Sequence, residues 1–174
     1  MRQHKASLVL PSEMTMIEAV ISTLAKVCRR VVVVGGIAGG FPSVADRRPG
    51  AGPLGGIEAL LASGIDDEYL VCPNDTPLIT PALLRRLQVP GTSLATIFEI
   101  EGESRIQSLP LRISGNALGA ITAALDAGRN SIHRVLTEIE VSRVPITVRQ
   151  ARALLNINTP GEYAALIEQW EITD

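Results

Sequence analysis

Two hydrophobic rhythms alternate along this chain. Ile17, Val20, Ile21 and Leu24 recur at helical spacing behind Thr15-Met16-Ile17-Glu18. That opening reads as a capping box, in which the cap and third-residue side chains satisfy each other's backbone amides. Val31, Val32, Val33 and Val34 form an unbroken β-branched run stopped by Gly35-Gly36, which predicts a strand buried on both faces. The pattern then predicts a helix over 57–62, a strand over 69–72, and a helix from Thr80-Pro81 carrying Leu83, Leu84 and Leu87. Looser alternation marks strands at 94–100 and 109–113 about a turn at 101–103. Helical spacing returns through Leu118, Ile121 and Leu125, and again after Ser131. Short strands are expected at 144–148 and 154–155, before a last helix opened by Thr159-Pro160-Gly161-Glu162.

Strands that alternate with helices predict an α/β protein: a three-layer αβα, Rossmann-like arrangement around a mostly parallel sheet. In such folds ligands bind beyond the carboxyl ends of the strands. The 174 residues show no linker, repeat or low-complexity tract, so residues 1–174 are expected to form a single domain. Composition sharpens this. Hydrophobic residues make up 46% but aromatics only 3%, so the core must be aliphatic, as in sheets covered by helices. So few aromatics also exclude a base-stacking platform for single-stranded nucleic acid. A net charge of −2 gives no basic field for nucleic acid or an anionic membrane, so any phosphate must be held locally. Arg29-Arg30, Arg47-Arg48 and Arg85-Arg86 read as solvated element ends. Cys28 and Cys72 match neither a metal spacing nor a redox pair. With no signal-like or membrane-spanning run, the expected compartment is the cytoplasm, and the Asn74-Asp75-Thr76 sequon reads as a chance match.

Candidate chemistry concentrates in residues 52–81. A glycine-proline turn opens a helix, and the following strand ends at Asp75, boxed between prolines. Asp75 can ligate a metal, because Mg²⁺ on a nucleotide's phosphates takes one or two carboxylates and keeps several waters. It can equally cap a turn, and spacing alone leaves both readings open. Asp46 precedes the turn Pro49-Gly50-Ala51-Gly52-Pro53 and can bind a sugar hydroxyl or base, or cap that turn. Backbone amides at a helix start suit phosphate. Lys5 by itself reads as a solvated surface group, and His4 and His133 form no triad or ligand pair.

Together these pieces resemble the molybdenum cofactor guanylyltransferase family and its close cytidylyltransferase relatives. The stretch 1–11 is similar to the family's Met-Gly-x-Asp-Lys-Ala-Leu-Leu-Pro segment, and 46–57 to its Asp followed by Gly-Pro-Leu-x-Gly-Ile. The stretch 71–81 is similar to its strand, Asp-x-Pro and Thr-Pro pattern, and 156–160 to its Asn-x-Asn-Thr-Pro box. The resemblance implies a nucleotidyltransferase-type sheet and transfer of GMP from GTP to molybdopterin, with release of pyrophosphate and with Mg²⁺ as cofactor. It implies that Asp75 holds the metal and that Lys5 steadies the triphosphate, both serving catalysis. Asp46 and the Gly52-Pro53-Leu54 turn would bind the nucleoside and nucleotide, with Asn156 and Asn158 on the pterin side. Partners implied are GTP, molybdopterin and molybdoenzyme-maturation proteins, with no nucleic acid and no membrane.

The chain also departs from the family pattern. Arg2 stands where the family has glycine, His4 where it has aspartate, and Gly35-Gly36 where it often has asparagine. The family's first strand and its glycine-rich, triphosphate-cradling loop precede the methionine at which this sequence starts. A longer native protein is therefore expected. Two other readings stand beside guanylyl transfer: a cytidylyltransferase for the same cofactor, and a non-catalytic relative that binds nucleotide or pterin.

Overall fold

The computed structural model describes residues 8–36, 40–102 and 106–171. Among them, the chain runs α1 (Met16–Ala25), β1 (Val33–Val34), β2 (Ser43–Val44), α2 (Gly52–Ala62), β3 (Glu68–Val71), α3 (Pro81–Leu87), β4 (Ala95–Ile100) and β5 (Ile106–Ser114). It continues through α4 (Leu118–Asp126), α5 (Ile132–Leu136), β6 (Val141–Ile146), α6 (Val148–Ala151) and α7 (Pro160–Glu171). The alternation read from the sequence is the fold, a mixed α/β structure.

The strands form two sheets. One has the order β3-β5-β4-β6, and the other pairs β1 with β2 in parallel. Strand β5 is antiparallel to both β3 and β4, while β4 and β6 are parallel. So β3, β4 and β6 share one direction and β5 alone runs against them. The β4–β6 register is unbroken from Ala95↔Val141 to Ile100↔Ile146.

Helices cover both faces of the larger sheet, and β4, Ala-Thr-Ile-Phe-Glu-Ile, is mostly apolar because it contributes to both cores. Ala95 and Ile97 face a core built with Leu54, Ile57 and Leu61 of α2 and Ile121 of α4. Phe98 and Ile100 face the opposite core, with Leu83, Leu84 and Leu87 of α3 and Val20 of α1. Successive strand residues point to opposite faces, so a strand buried on both sides is hydrophobic at most positions; Thr96 is the buried polar exception, and Glu99 pairs with Arg143. A third, smaller cluster joins Leu10 and Met16 to Ile157 and Leu166 of α7.

Local capping sets several boundaries. The α1 box forms as read: Glu18 N–H donates to Thr15 Oγ1 at 3.3 Å, and Thr15 N–H donates to Glu18 Oε2 at 2.7 Å. Thr80 caps α3 through Leu83 N–H at 3.3 Å. Three expectations are corrected. The strand expected at 144–148 ends at Ile146, because Thr147 caps α6 in a second box with Gln150. The strand expected at 154–155 is instead a 3-10 turn, Arg152–Leu154, continuing α6. Helix α2 begins at Gly52, well before Ile57, because proline at its second position is compatible with a first turn.

Between the two sheets, β1 and β3 each pair on one side only among the described residues. A cavity of about 740 Å³ lies between them, roofed by apolar residues of α1 and floored by α2. Among the described residues no helix is long and apolar enough to cross a membrane.

Candidate active site

The cavity leads to the carboxyl end of β3, where the chain leaves the sheet as Cys72-Pro73-Asn74-Asp75-Thr76. Thr76 fixes this loop from beneath. Its fully buried hydroxyl donates to the Pro73 carbonyl at 3.0 Å, and its own carbonyl accepts from Ile79 N–H. Asp75 is thereby held half-buried at the cavity wall, beside Asn74. The Asp75 carbonyl accepts the Ile157 N–H at 2.8 Å. This backbone bond ties the Asn-x-Asn-Thr-Pro box to the acidic loop.

The box explains its own shape. Ile157 is buried, so in an extended segment its neighbours Asn156 and Asn158 turn outward, and both are exposed. Asn156 lines the same cavity as Asp75. The Asn158 and Thr159 amides both donate to the Glu162 carboxylate, at 2.6 and 2.8 Å, while Glu162 N–H donates back to Thr159 Oγ1 at 3.1 Å. The box is therefore also the cap of α7.

Across the cavity stands the start of α2. Pro53 and Gly56 line the wall. Gly52 adopts φ +67, and the cap residue Ala51 makes no side-chain capping bond, so the first-turn amides are open to an incoming acceptor. Leu54 is 1% exposed and packs in the main core, which leaves only its backbone to face a ligand. Asp46 lies exposed on the loop before this turn, outside the cavity lining. Its carboxylate sits between two glycines. A Cβ at Gly35 would stand 3.5 Å from Asp46 Oδ2, and one at Gly55 would stand 3.8 Å from Oδ1 and only 2.8 Å from the Ala51 Cβ.

The structure thus brings Asp75, Asn156 and Pro53 to one cavity, with Gly52 and Asp46 at its α2 side and Asn158 just beyond Asn156. Lys5 lies outside the described residues. Among the described residues no three His, Cys, Asp or Glu side chains gather as a metal cage. One carboxylate, such as that of Asp75, fits a hard cation held mainly by a substrate's phosphates and water. Cys72 also lines the cavity, but burial pushes its thiol up to about 11, and burial likewise raises Cys28, so neither is an activated nucleophile. Gln107, Ser108 and His133 line the cavity as well, and sequence reasoning missed this role for them. They come from β5 and α5, and only the fold brings them near Asp75.

Sheet, open helix start and acidic loop of this kind place the protein among the nucleotidyltransferases. The chain belongs to the MobA-like NTP transferase domain family, whose model matches residues 1–144. A relative from Xanthomonas euvesicatoria pv. vesicatoria, named a molybdenum cofactor guanylyltransferase, is 30% identical over 141 residues, covering 79% of this chain and 72% of that protein. The solved structure of molybdopterin-guanine dinucleotide biosynthesis protein A from Archaeoglobus fulgidus superposes with a TM-score of 0.82 at 19% identity, over 98% of this chain and 92% of that one. A Mycobacterium tuberculosis H37Rv protein solved in complex with manganese shares the fold at a TM-score of 0.66 and 14% identity, over 94% of this chain and 91% of that one. The protein is accordingly a transferase enzyme of a family that serves molybdenum cofactor biosynthesis.

Proposed function

We propose that this protein transfers GMP from GTP to molybdopterin, forming the guanine dinucleotide cofactor and releasing pyrophosphate. The observation that carries the reading is the Ile157–Asp75 backbone bond, which sets the Asn-x-Asn-Thr-Pro box and the acidic loop on one cavity, opposite the open start of α2. A terminal phosphate oxygen of the pterin would bond to the α-phosphorus of GTP as the bond to the β-phosphate breaks. Such a transfer asks for alignment and charge neutralisation rather than a protein nucleophile. That matches a site whose thiol is held protonated.

In this reading Asp75 would hold a divalent cation, Mg²⁺, which would supply positive charge beside the phosphates. Asp46 and the Gly52-Pro53-Leu54 turn receive the nucleotide, and Lys5 steadies its triphosphate. Asn156 and Asn158 order the pterin end, and molybdoenzyme-maturation proteins take up the product. We also propose that one extended strand belongs in the slot between β1 and β3. Two strand edges with no partner on that side among the described residues and the apolar cavity between them support it.

The test is pyrophosphate release from the protein supplied with Mg²⁺, molybdopterin and either GTP or CTP. Release from GTP is expected. Release from CTP alone would replace guanylyl by cytidylyl transfer, and release from neither would overturn the enzymatic reading. Asp75→Asn is expected to lower turnover about a thousandfold, as loss of a charge-stabilising group does, with its thermal midpoint nearly unchanged. A variant with normal turnover would return Asp75 to turn capping.

A further inference from the structure

We infer that Arg48 is a positioning residue: with Glu58, Thr122 and Asp126 it brackets the turn that carries Asp46 and opens α2. The inference rests on the nucleotide reading of that turn. Glu58 is the starting point, a carboxylate on α2 only 2% exposed. Both of its oxygens are engaged. Oε2 accepts Arg48 Nε–H at 2.8 Å, and Oε1 accepts the Thr122 hydroxyl of α4 at 2.9 Å. A second guanidinium nitrogen of Arg48 lies 2.6 Å from Asp126 Oδ1, at the end of α4. One planar guanidinium therefore spans two helices.

The backbone of Arg48 transmits that grip to the site. Its carbonyl accepts Ala51 N–H at 3.0 Å, closing the turn that leads into α2. The same carbonyl stands 3.4 Å from where a Gly55 Cβ would lie, with Asp46 Oδ1 at 3.8 Å. Turn, Asp46 and helix start are packed against one another, so a shift of Arg48 displaces all three. Asp126 first, and Glu58 second, hold the guanidinium more firmly protonated.

Stability alone is a poor reason for this cluster. Burying Glu58 costs desolvation, while Arg48 at 35% and Asp126 at 61% side-chain exposure are screened by water, so the pairs add little net stability. A fork with two fixed directions supplies orientation instead. Lysine carries a point charge and cannot serve both carboxylates in the same geometry.

The test combines GTP titration by calorimetry, steady-state kinetics and amide hydrogen exchange on Arg48→Ala and Arg48→Lys. Arg48→Ala is expected to raise KM for GTP about tenfold while kcat stays within about twofold, the pattern of lost uniform binding. Exchange of the Ala51 amide, whose hydrogen bond to the Arg48 carbonyl closes the turn, is expected to accelerate about tenfold or more, beyond any change at the β4 and β6 amides. Arg48→Lys should recover part of both effects. In an Asp46→Ala background, Arg48→Ala should add little to the loss of affinity, because coupled residues are not additive. If Arg48→Ala does not fold, Arg48→Met with Glu58→Gln removes both charges and replaces it in every arm. Unchanged exchange at the Ala51 amide, or full additivity with Asp46→Ala, would overturn the inference. If the wild-type protein takes up neither GTP nor CTP, the nucleotide reading falls, and the exchange arm alone judges the bracket.

Discussion

The four-stranded sheet and the β1–β2 pair are built from the same aliphatic residues, yet they pack very differently. Strand β4 has a neighbour on each side and helices over both faces, so Ala95, Ile97 and Phe98 are each at most 1% exposed. The Val31-Val32-Val33-Val34 run is at least as hydrophobic, but all four residues stay only half-buried, and its pairing spans two residues. Burial of a strand therefore depends on what lies beside it as much as on its own side chains. The contrast also separates the two proposed halves of the site. Asp75 leaves the edge of the dense sheet on a loop fixed by buried Thr76, while Asp46 and the Gly52 turn follow the sparse one. A rigid framework carries the acidic group, and in the proposed reading the glycine-bearing turns are the surface that receives the nucleotide.

Core truncation breaks this comparison most directly. Phe98→Ala is expected to cost about 3–5 kcal/mol, the usual range for a fully buried aromatic whose surroundings cannot collapse. Val33→Ala, beside the open cavity, is expected to cost less than about 1 kcal/mol, since little packing is lost on the cavity side. Urea denaturation of both variants measures the difference. Equal costs would mean that β1 is packed as tightly as β4 and that the two regions do not differ.

Filling the slot tests the same contrast in the opposite direction. A β-branched strand followed by a glycine-rich loop, grafted ahead of Met1, is expected to seat between β1 and β3. Burial of a few of its side chains is worth about 3 kcal/mol, or roughly 10 °C in the thermal midpoint of a domain this size. Val33→Ala should then become costlier in the grafted protein, because its cavity side gains partners. An unchanged midpoint would show that the slot does not receive a strand.

How much of this was legible depended on how local its cause was. The α1 and α7 caps and the proline start of α3 are written in three or four consecutive residues, and they form where the sequence places them. The two-sided burial of β4 was readable only loosely, because a strand buried on both faces loses the period-two signal. Strand β2 was missed, since Ser43-Val44 after a proline carries no strand pattern and is defined by pairing with Val33-Val34. In the site, Asp75 and the turn at Gly52 stood out as local motifs. The bond from Ile157 to Asp75 and the Arg48–Glu58 bracket did not, because each joins segments that only the folded chain brings together.

The smallest expected effect concerns the roof of the cavity. Ile17, Val20, Ile21 and Leu24 of α1 line that space, and the α1 cap fixes the start of the helix that carries them. Glu18 accepts hydrogen bonds from the Thr15 backbone and hydroxyl, and these hold its carboxyl below its ordinary value of 4.5. A carboxylate with a lowered folded pKa stabilises above its unfolded value, and that contribution fades as pH falls through the folded one. Glutamine can occupy the same position in a capping box but carries no charge to titrate. The stability gap between the wild-type protein and Glu18→Gln is therefore expected to be small at pH 7 and to shrink as pH drops below 4.5. Denaturant midpoints measured for both proteins across that range decide it. A gap that stays constant with pH would mean the α1 cap works through its neutral hydrogen bonds alone, and that the open roof does not lean on the Glu18 charge.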